Sequence, residues 1–251
     1  MATSMVATKY IVGNWKLHGS TQENAVRLAA LKAGCRHGDA LAVCVPFPYL
    51  AQAQQALQGS AIGWGAQNVS EQAKGAFTGE VSAAMLADFG CSCAIVGHSE
   101  RRALYGEDDA TVARKAQAVA EAGMTPIVCV GETLAERKCG EMVQVVTRQL
   151  AAVLAHVSAE TKQRLVIAYE PVWAIGTGLA ASEDDVREVH ALLRGQLEKA
   201  GVTGTRLLYG GSVKASNAGA LLNTANVDGA LVGGASLDAE EFLKIAQAAR
   251  A

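Results

Sequence analysis

The segment Leu165–Ala180 reads LVIAYEPVWAIGTGLA and indicates a buried strand followed by a loop. Its first residues are apolar and partly β-branched, which is typical of a strand in a buried parallel sheet. Glu170 ends this strand, because Pro171 lacks the backbone N–H that would continue the pairing. The apolar residues that follow contain Gly176 and Gly178, which suit a loop better than a helix. A carboxylate beneath such a loop predicts a general base under a lid that excludes water. A surface glutamate at a turn fits this segment alone equally well.

The same kind of apolar run occurs eight times along the chain. The predicted strands are Tyr10–Asn14, Leu41–Val45, Ile62–Gln67, Cys93–Gly97, Pro126–Val130, Leu165–Glu170, Arg206–Gly210 and Gly229–Val232. Amphipathic stretches between them predict helices over Thr21–Leu31, Asp109–Ala122, Cys139–Leu154, Asp184–Ala200, Ala215–Asn223 and Ala239–Ala249. Alternating strands and helices predict a parallel α/β sheet with right-handed crossovers. Eight units within 251 residues favour a closed (β/α)8 barrel, and no linker or change of composition divides residues 1–251 into two domains.

The composition indicates a globular protein with a large core. Half of the residues are hydrophobic, 18% are charged, and the formal net charge is -2. Without a long basic run, nucleic acid and anionic membranes are poor candidates for partners. The N-terminus lacks a signal-peptide core, and no apolar run is long enough to span a bilayer. Three of the six cysteines, Cys44, Cys93 and Cys129, lie in predicted strands, and no cysteine spacing is typical of a zinc site. We therefore expect reduced thiols and a cytoplasmic location.

Polar side chains at three strand ends predict an active site at one mouth of the barrel. Asn14 and Lys16 follow the first strand, His98 follows the fourth, and Glu170 follows the sixth. In a (β/α)8 barrel the carboxyl ends of the strands converge on the active site. A lysine cation, an imidazole and a carboxylate base together suit proton abstraction next to a carbonyl. A helix that begins at Ser99 would disfavour a cationic imidazole, so we expect His98 to act as a neutral hydrogen-bond donor. Each residue alone would be read as an ordinary surface or structural side chain.

Glycine pairs after the last two strands predict a phosphate site. They are Gly210-Gly211, followed by Ser212, and Gly233-Gly234. Phosphate sites in barrels often lie after strands 7 and 8, where backbone N–H groups approach the ligand closely. Gly176 in the loop after Glu170 could supply a further N–H when that loop closes. Either glycine pair alone could be a tight turn.

Five motifs in this chain resemble those of the triosephosphate isomerase family. They are NWK at Asn14–Lys16, VGHSERR at Val96–Arg102, AYEPVWAIGTG at Ala168–Gly178, YGGSV at Tyr209–Val213 and DGALVGGASL at Asp228–Leu237. The resemblance implies a TIM barrel that interconverts dihydroxyacetone phosphate and glyceraldehyde 3-phosphate, in glycolysis and gluconeogenesis, without a cofactor or metal. It implies that Glu170 moves the proton, that His98 polarises the carbonyl, and that Lys16 and Asn14 stabilise the oxyanion and hold substrate. It assigns the phosphate to Gly176, Ser212, Gly233 and Gly234.

The resemblance also implies a homodimer in which the segment Gln67–Glu80 enters the partner subunit. From the sequence alone this segment could equally be a local flap. The chain departs from the usual family pattern at Leu17-His18, beside the catalytic lysine, where Met-Asn is common. Two other functions stay open: a different sugar-phosphate isomerase, and a non-catalytic binding or scaffold protein built on the same barrel.

Overall fold

A computed structural model of the chain describes residues 8–175 and 181–249. Eight parallel strands form a closed barrel in chain order, and β1 pairs with both β2 and β8. The strands are β1 Tyr10–Asn14, β2 Ala40–Val45, β3 Gly63–Ala66, β4 Cys93–Val96, β5 Thr125–Val130, β6 Val166–Tyr169, β7 Arg206–Tyr209 and β8 Gly229–Val232. Each overlaps a predicted apolar run, so the predicted (β/α)8 fold class is confirmed.

The helices form the outer layer of the barrel. They are α1 Thr21–Gly34, α2 Leu50–Leu57, α3 Ala83–Asp88, α4 Ser99–Tyr105, α5 Asp109–Glu121, α6 Leu134–Lys138, α7 Met142–His156, α8 Ala159–Lys162, α9 Glu183–Lys199, α10 Ala215–Asn223 and α11 Ala239–Ala248. Short 3-10 turns cover Phe47–Tyr49, Val172–Ala174 and Gly234–Leu237. In the described residues, no helix is long and apolar enough to cross a membrane.

The predicted helix Cys139–Leu154 was wrong at its start. Gly140 has a φ of 74°, in the left-handed region, and it separates α6 from α7. Glycine adopts this conformation without the steric cost that other residues carry, and it commonly ends helices for that reason. The predicted helix therefore corresponds to α7 alone, which begins three residues later, at Met142.

Two layers of apolar side chains hold the barrel together. Alternate strand residues fill the barrel interior, and these are Val12, Ala42, Cys44, Cys93, Ile95, Ile127, Cys129, Val166, Ala168, Leu208 and Leu231. The other strand residues pack against the helices in a second, larger cluster. Gly65 on β3 lies so close to β4 that a Cβ there would be 2.7 Å from Cys93 Sγ. The interior is thus filled with side chains, and ligands are left the space at the carboxyl ends of the strands.

Candidate active site

A cavity of about 360 Å³ opens at the carboxyl ends of the strands. Its lining contains every predicted site residue within the described chain, namely Asn14, Lys16, His98, Glu170, Ser212, Gly233 and Gly234. The remaining predicted residue, Gly176, lies outside the described residues. Side chains and loops from five strand ends thus meet around one space of a size that suits a small metabolite.

Glu170 is buried at this cavity and each carboxylate oxygen has a partner. Its side chain is 2% exposed. Oε1 lies 2.8 Å from His98 Nε2, and Oε2 accepts a hydrogen bond of 2.9 Å from the Ser99 backbone N–H. Burial favours the neutral acid, but the His98 ring and the Ser99 N–H outweigh it and hold the pKa of Glu170 below its usual value. Glu170 is therefore an ionised carboxylate at neutral pH.

His98 is the N-cap residue of α4, and its hydrogen bonds define its tautomer. Nδ1 accepts a bond of 3.2 Å from the Glu100 backbone N–H, so the proton of the neutral ring lies on Nε2 and is donated to Glu170. Burial lowers the pKa of His98, but the carboxylates of Glu170 and Glu100 raise it, and the net pKa lies above its usual value. The neutral ring thus has the tautomer expected of a donor, but the raised pKa of His98 favours the cationic form, contrary to the expectation from the helix terminus. Its pKa depends on Glu170, which the argument from the helix terminus alone did not include.

Lys16 lies between the carboxylate of Glu100 and the loop after β8. Its Nζ forms a 2.5 Å ion pair with Glu100 Oε1, and its backbone N–H donates to Asn14 Oδ1 at 3.1 Å. A Cβ on Gly233 would be 3.4 Å from Lys16 Cε, so the lysine stem passes directly over that glycine. The φ of Lys16 is 54°, a left-handed conformation that costs a residue with a side chain roughly 1–2 kcal/mol. Such strain is typical of functional positions.

The glycine pairs also line the cavity. A Cβ on Gly210 would be 2.9 Å from Glu170 Cγ, and a Cβ on Gly211 would overlap the Tyr209 hydroxyl. Ser212 Oγ donates to Ala174 O at 3.0 Å and so ties this wall to the segment after Glu170. Close approach of neighbouring groups therefore requires glycine at Gly210 and Gly211, whereas a Cβ on Gly234 would meet open space among the described residues.

Sequence reasoning gave no role to Glu132, which follows β5. Its side chain is fully buried, and Oε1 accepts from Trp173 Nε1 at 2.8 Å, Tyr169 Oη at 3.1 Å and Arg137 Nη1 at 3.1 Å. Burial, followed by the nearby Glu132 carboxylate, strongly raises the pKa of Tyr169, which keeps the phenol protonated. These bonds fix the residues on both sides of Glu170. The position of Glu132 at a strand end was visible in the sequence, but two of its three donors, Tyr169 and Trp173, come from a segment about forty residues further along the chain.

Comparisons with known proteins give one consistent result. The family model described as triosephosphate isomerase matches residues 9–249. The chain is 59% identical over 244 residues to triosephosphate isomerase of Thiobacillus denitrificans, covering 96% of this chain and 98% of that protein. It is 56% identical to the Bordetella pertussis protein of the same name, covering 99% and 100% of the two chains. The crystal structure of triosephosphate isomerase from Bartonella henselae superposes with a TM-score of 0.88 at 43% identity, over 97% of this chain and 100% of that one.

Proposed function

This chain belongs to the triosephosphate isomerase family, and from that membership we propose how it interconverts dihydroxyacetone phosphate and D-glyceraldehyde 3-phosphate. The reaction moves one proton between adjacent carbons through an enediolate, and it serves glycolysis and gluconeogenesis. The observation that carries the assignment of the site is the pairing of a buried carboxylate, Glu170, with His98 Nε2–H at 2.8 Å. Both side chains line the same cavity as Lys16 and the glycine pairs, which supports the roles of base and hydrogen-bond donor proposed for them.

Glu170 takes the proton from the carbon next to the carbonyl and returns it to the neighbouring carbon. Its ionised form is the one that accepts a proton, and its low exposure removes the water that would otherwise stabilise the carboxylate. Accepting a carbon-bound proton requires Glu170 to exchange its bond to His98 for contact with substrate. His98 Nε2–H then faces the substrate oxygens, where it polarises the carbonyl and passes protons between them.

Lys16 and Asn14 stabilise the negative charge that develops on the substrate. The lysine ammonium is a fixed positive charge 2.5 Å from Glu100, and it lies beside Gly233 at the phosphate end of the cavity. A charge close to both ends of a triose phosphate favours binding and also favours the enediolate. Backbone N–H groups at Ser212, Gly233 and Gly234 hold the phosphate, together with Gly176 from the loop after Glu170.

Turnover of glyceraldehyde 3-phosphate, coupled to reduction of the dihydroxyacetone phosphate formed, tests this assignment. We expect Glu170→Gln to lower kcat by roughly 10²–10⁴-fold, the usual contribution of general acid–base catalysis. Glu160→Gln, an exposed position on α8, is the matched control and should leave kcat unchanged. Near-normal turnover by Glu170→Gln would refute the role of Glu170. Phosphate binding without any turnover by the unmodified protein would instead favour a binding protein.

We also propose that two copies of the chain form a homodimer through the segment Gln67–Glu80. A second cavity of about 440 Å³ borders the active site and contains Lys16, Gln67 and Glu100. Apolar side chains at this cavity and on the segment are solvent-exposed in the single chain, and they include Leu17 (94%), Leu104 (74%), Tyr105 (68%) and Phe77 (46%). Exposed apolar groups of this number beside a cavity are typical of a protein interface.

A charge on the projecting segment tests the dimer. We expect Thr78→Asp to give monomers in sedimentation velocity and poor activity, because a carboxylate buried at an interface loses its hydration. Thr78 is exposed in the single chain, so Thr78→Ser should remain dimeric and active. A fully active Thr78→Asp monomer would refute the proposed role of this segment in a dimer.

A cytoplasmic location agrees with the state of the thiols. All six cysteines are free, including Cys44 and Cys93, whose sulfur atoms lie 3.8 Å apart. Free thiols at this distance suit a reducing compartment. Thiol titration of the denatured protein, prepared without reductant, should count six; fewer would contradict this assignment.

A further inference from the structure

The side chain of Ser236 lies fully buried behind the two glycines that follow β8. Ser236 belongs to the 3-10 turn Gly234–Leu237, and its exposure is 0%. Its Oγ donates to the Gly233 carbonyl oxygen at 2.7 Å, and its backbone N–H donates to the same oxygen at 2.8 Å. One residue thus holds one carbonyl with two hydrogen bonds.

The direction of that carbonyl sets the direction of the next N–H group. The described peptide bonds are all trans, and in a trans peptide the C=O and N–H of one unit point in opposite directions. Fixing the Gly233 oxygen on Ser236 therefore fixes the Gly234 N–H on the other side of the peptide plane. Gly234 is the first residue of the turn, where an N–H has no acceptor within the turn itself. Both glycines line the cavity that contains Lys16.

Ser236 is also held firmly by its surroundings. A Cβ on Gly13 of β1 would be 2.9 Å from Ser236 Cβ, so strand and serine are in close contact. Ser236 Oγ is 3.5 Å from the Asn14 carbonyl oxygen. The far end of the turn is tied to α1, because Arg27 Nε donates to Leu237 O at 2.7 Å. The hydroxyl therefore connects the glycine pair to the strand that carries Asn14.

We propose that Ser236 is a positioning residue for the substrate phosphate. Its hydroxyl does not touch substrate; it keeps the peptide between Gly233 and Gly234 turned so that the Gly234 N–H faces the phosphate. This inference rests on the proposed function, in which that glycine pair binds phosphate. Without the hydroxyl, the turn retains only the weaker restraint of its backbone bond, and the peptide rotates more freely.

The experiment compares Ser236→Ala with Ser60→Ala as a matched control. Ser60 Oγ donates a hydrogen bond of the same kind, to the carbonyl oxygen of Leu57 three residues earlier, also at 2.7 Å. Ser60 is not among the residues that line this cavity. Binding of inorganic phosphate is measured by calorimetry, and KM, kcat and Tm are measured in parallel. We expect Ser236→Ala to raise both the phosphate Kd and KM roughly 3- to 10-fold, the effect of losing one hydrogen bond, with a smaller change in kcat. Ser60→Ala should leave phosphate Kd and KM at wild-type values.

A lowered Tm with an unchanged phosphate Kd in Ser236→Ala would show a purely structural hydroxyl and overturn the inference. Ser236→Cys keeps the size of the side chain but donates poorly, so its phosphate Kd should lie between those of wild type and Ser236→Ala. If Ser236→Ala is not recovered folded, equal phosphate affinity of Ser236→Cys and wild type overturns the inference. Failure of the wild type itself to bind phosphate would overturn the proposed function as well as this inference. Wild-type binding of phosphate therefore distinguishes failure of the proposed function from failure of the inference about Ser236 alone.

Discussion

Protonation of His190 in the interior should make the protein measurably less stable in mild acid. His190 lies on α9 with an exposure of 0%. Its Nδ1 lies 3.1 Å from Asn226 O, while Nε2 has no hydrogen-bond partner in the described part of the chain. Its ring and that of Tyr169 form a T-shaped pair, with ring centroids 6.1 Å apart. Burial lowers the pKa of His190 to about 4, although the bond to Asn226 opposes this change. The folded protein therefore keeps this imidazole neutral where the unfolded chain has already protonated it.

The sign and size of the effect follow from these two pKa values. The unfolded chain titrates near 6.5, so between pH 6.5 and 4 it binds one more proton than the folded chain. The free energy of unfolding therefore falls as the pH is lowered through this range and becomes independent of His190 below it. With a folded pKa of about 4, the loss relative to neutral pH is about 2.5 kcal/mol by pH 4.5.

Urea unfolding followed by circular dichroism at several pH values between 7.5 and 4.5 measures this loss. Protomer concentration is held constant, since any dimerisation adds to apparent stability. Carboxylates also titrate in this range, so the relevant quantity is the difference between wild type and His190→Gln at each pH. The free energy of unfolding of wild type minus that of His190→Gln should fall by about 2.5 kcal/mol from pH 7.5 to 4.5. Glutamine cannot be protonated, so only the wild type loses stability through this side chain. His156→Gln, an exposed histidine at the end of α7, should show the pH dependence of wild type. A His190→Gln protein with the full wild-type pH dependence would refute the reasoning.

Two further substitutions test the walls of the cavity. Glu132→Gln should lower the free energy of unfolding, measured in urea, by about 1–3 kcal/mol, because the buried carboxylate accepts hydrogen bonds from Trp173, Tyr169 and Arg137. Glu141→Gln, at an exposed position, is the control and should leave the free energy of unfolding unchanged. Equal losses in both variants would contradict the role of these hydrogen bonds. Gly211→Ala should lower stability by about 1–3 kcal/mol and reduce kcat/KM, because its Cβ would overlap the Tyr209 hydroxyl and lie 3.1 Å from Pro171 Cγ, beside the base. Gly219→Ala on α10 is the control, because a Cβ there would meet open space among the described residues, and it should be neutral or slightly stabilising. An equal loss of stability in both alanine variants would show that crowding is not the cause.

The sequence was most informative where structure depends on local patterns. Each strand is a short apolar run that must be buried on both faces, so its hydrophobicity alone locates it. The short helix α3, Ala83–Asp88, was not predicted, because six residues give too little periodicity to recognise. The left-handed φ of Lys16 could not be predicted either, since lysine has no preference for this conformation. The role proposed for the Ser236 hydroxyl could not be predicted from the sequence for a similar reason, because it depends on the orientation of one peptide, which neither composition nor spacing indicates.

Glu132 and Glu170 show why position in the sequence is not enough to assign a catalytic carboxylate. Both follow a barrel strand, and both are almost completely buried. Glu132 directs one oxygen at three side-chain donors, one of them the cation of Arg137, and releasing that set would leave several buried polar groups unpaired. Glu170 is held by the Ser99 backbone N–H, the His98 imidazole and the Cys129 thiol, and the imidazole is a partner that substrate oxygens can replace. The carboxylate with an exchangeable donor is the one that can change partners during a reaction, and this difference favours Glu170 as the base.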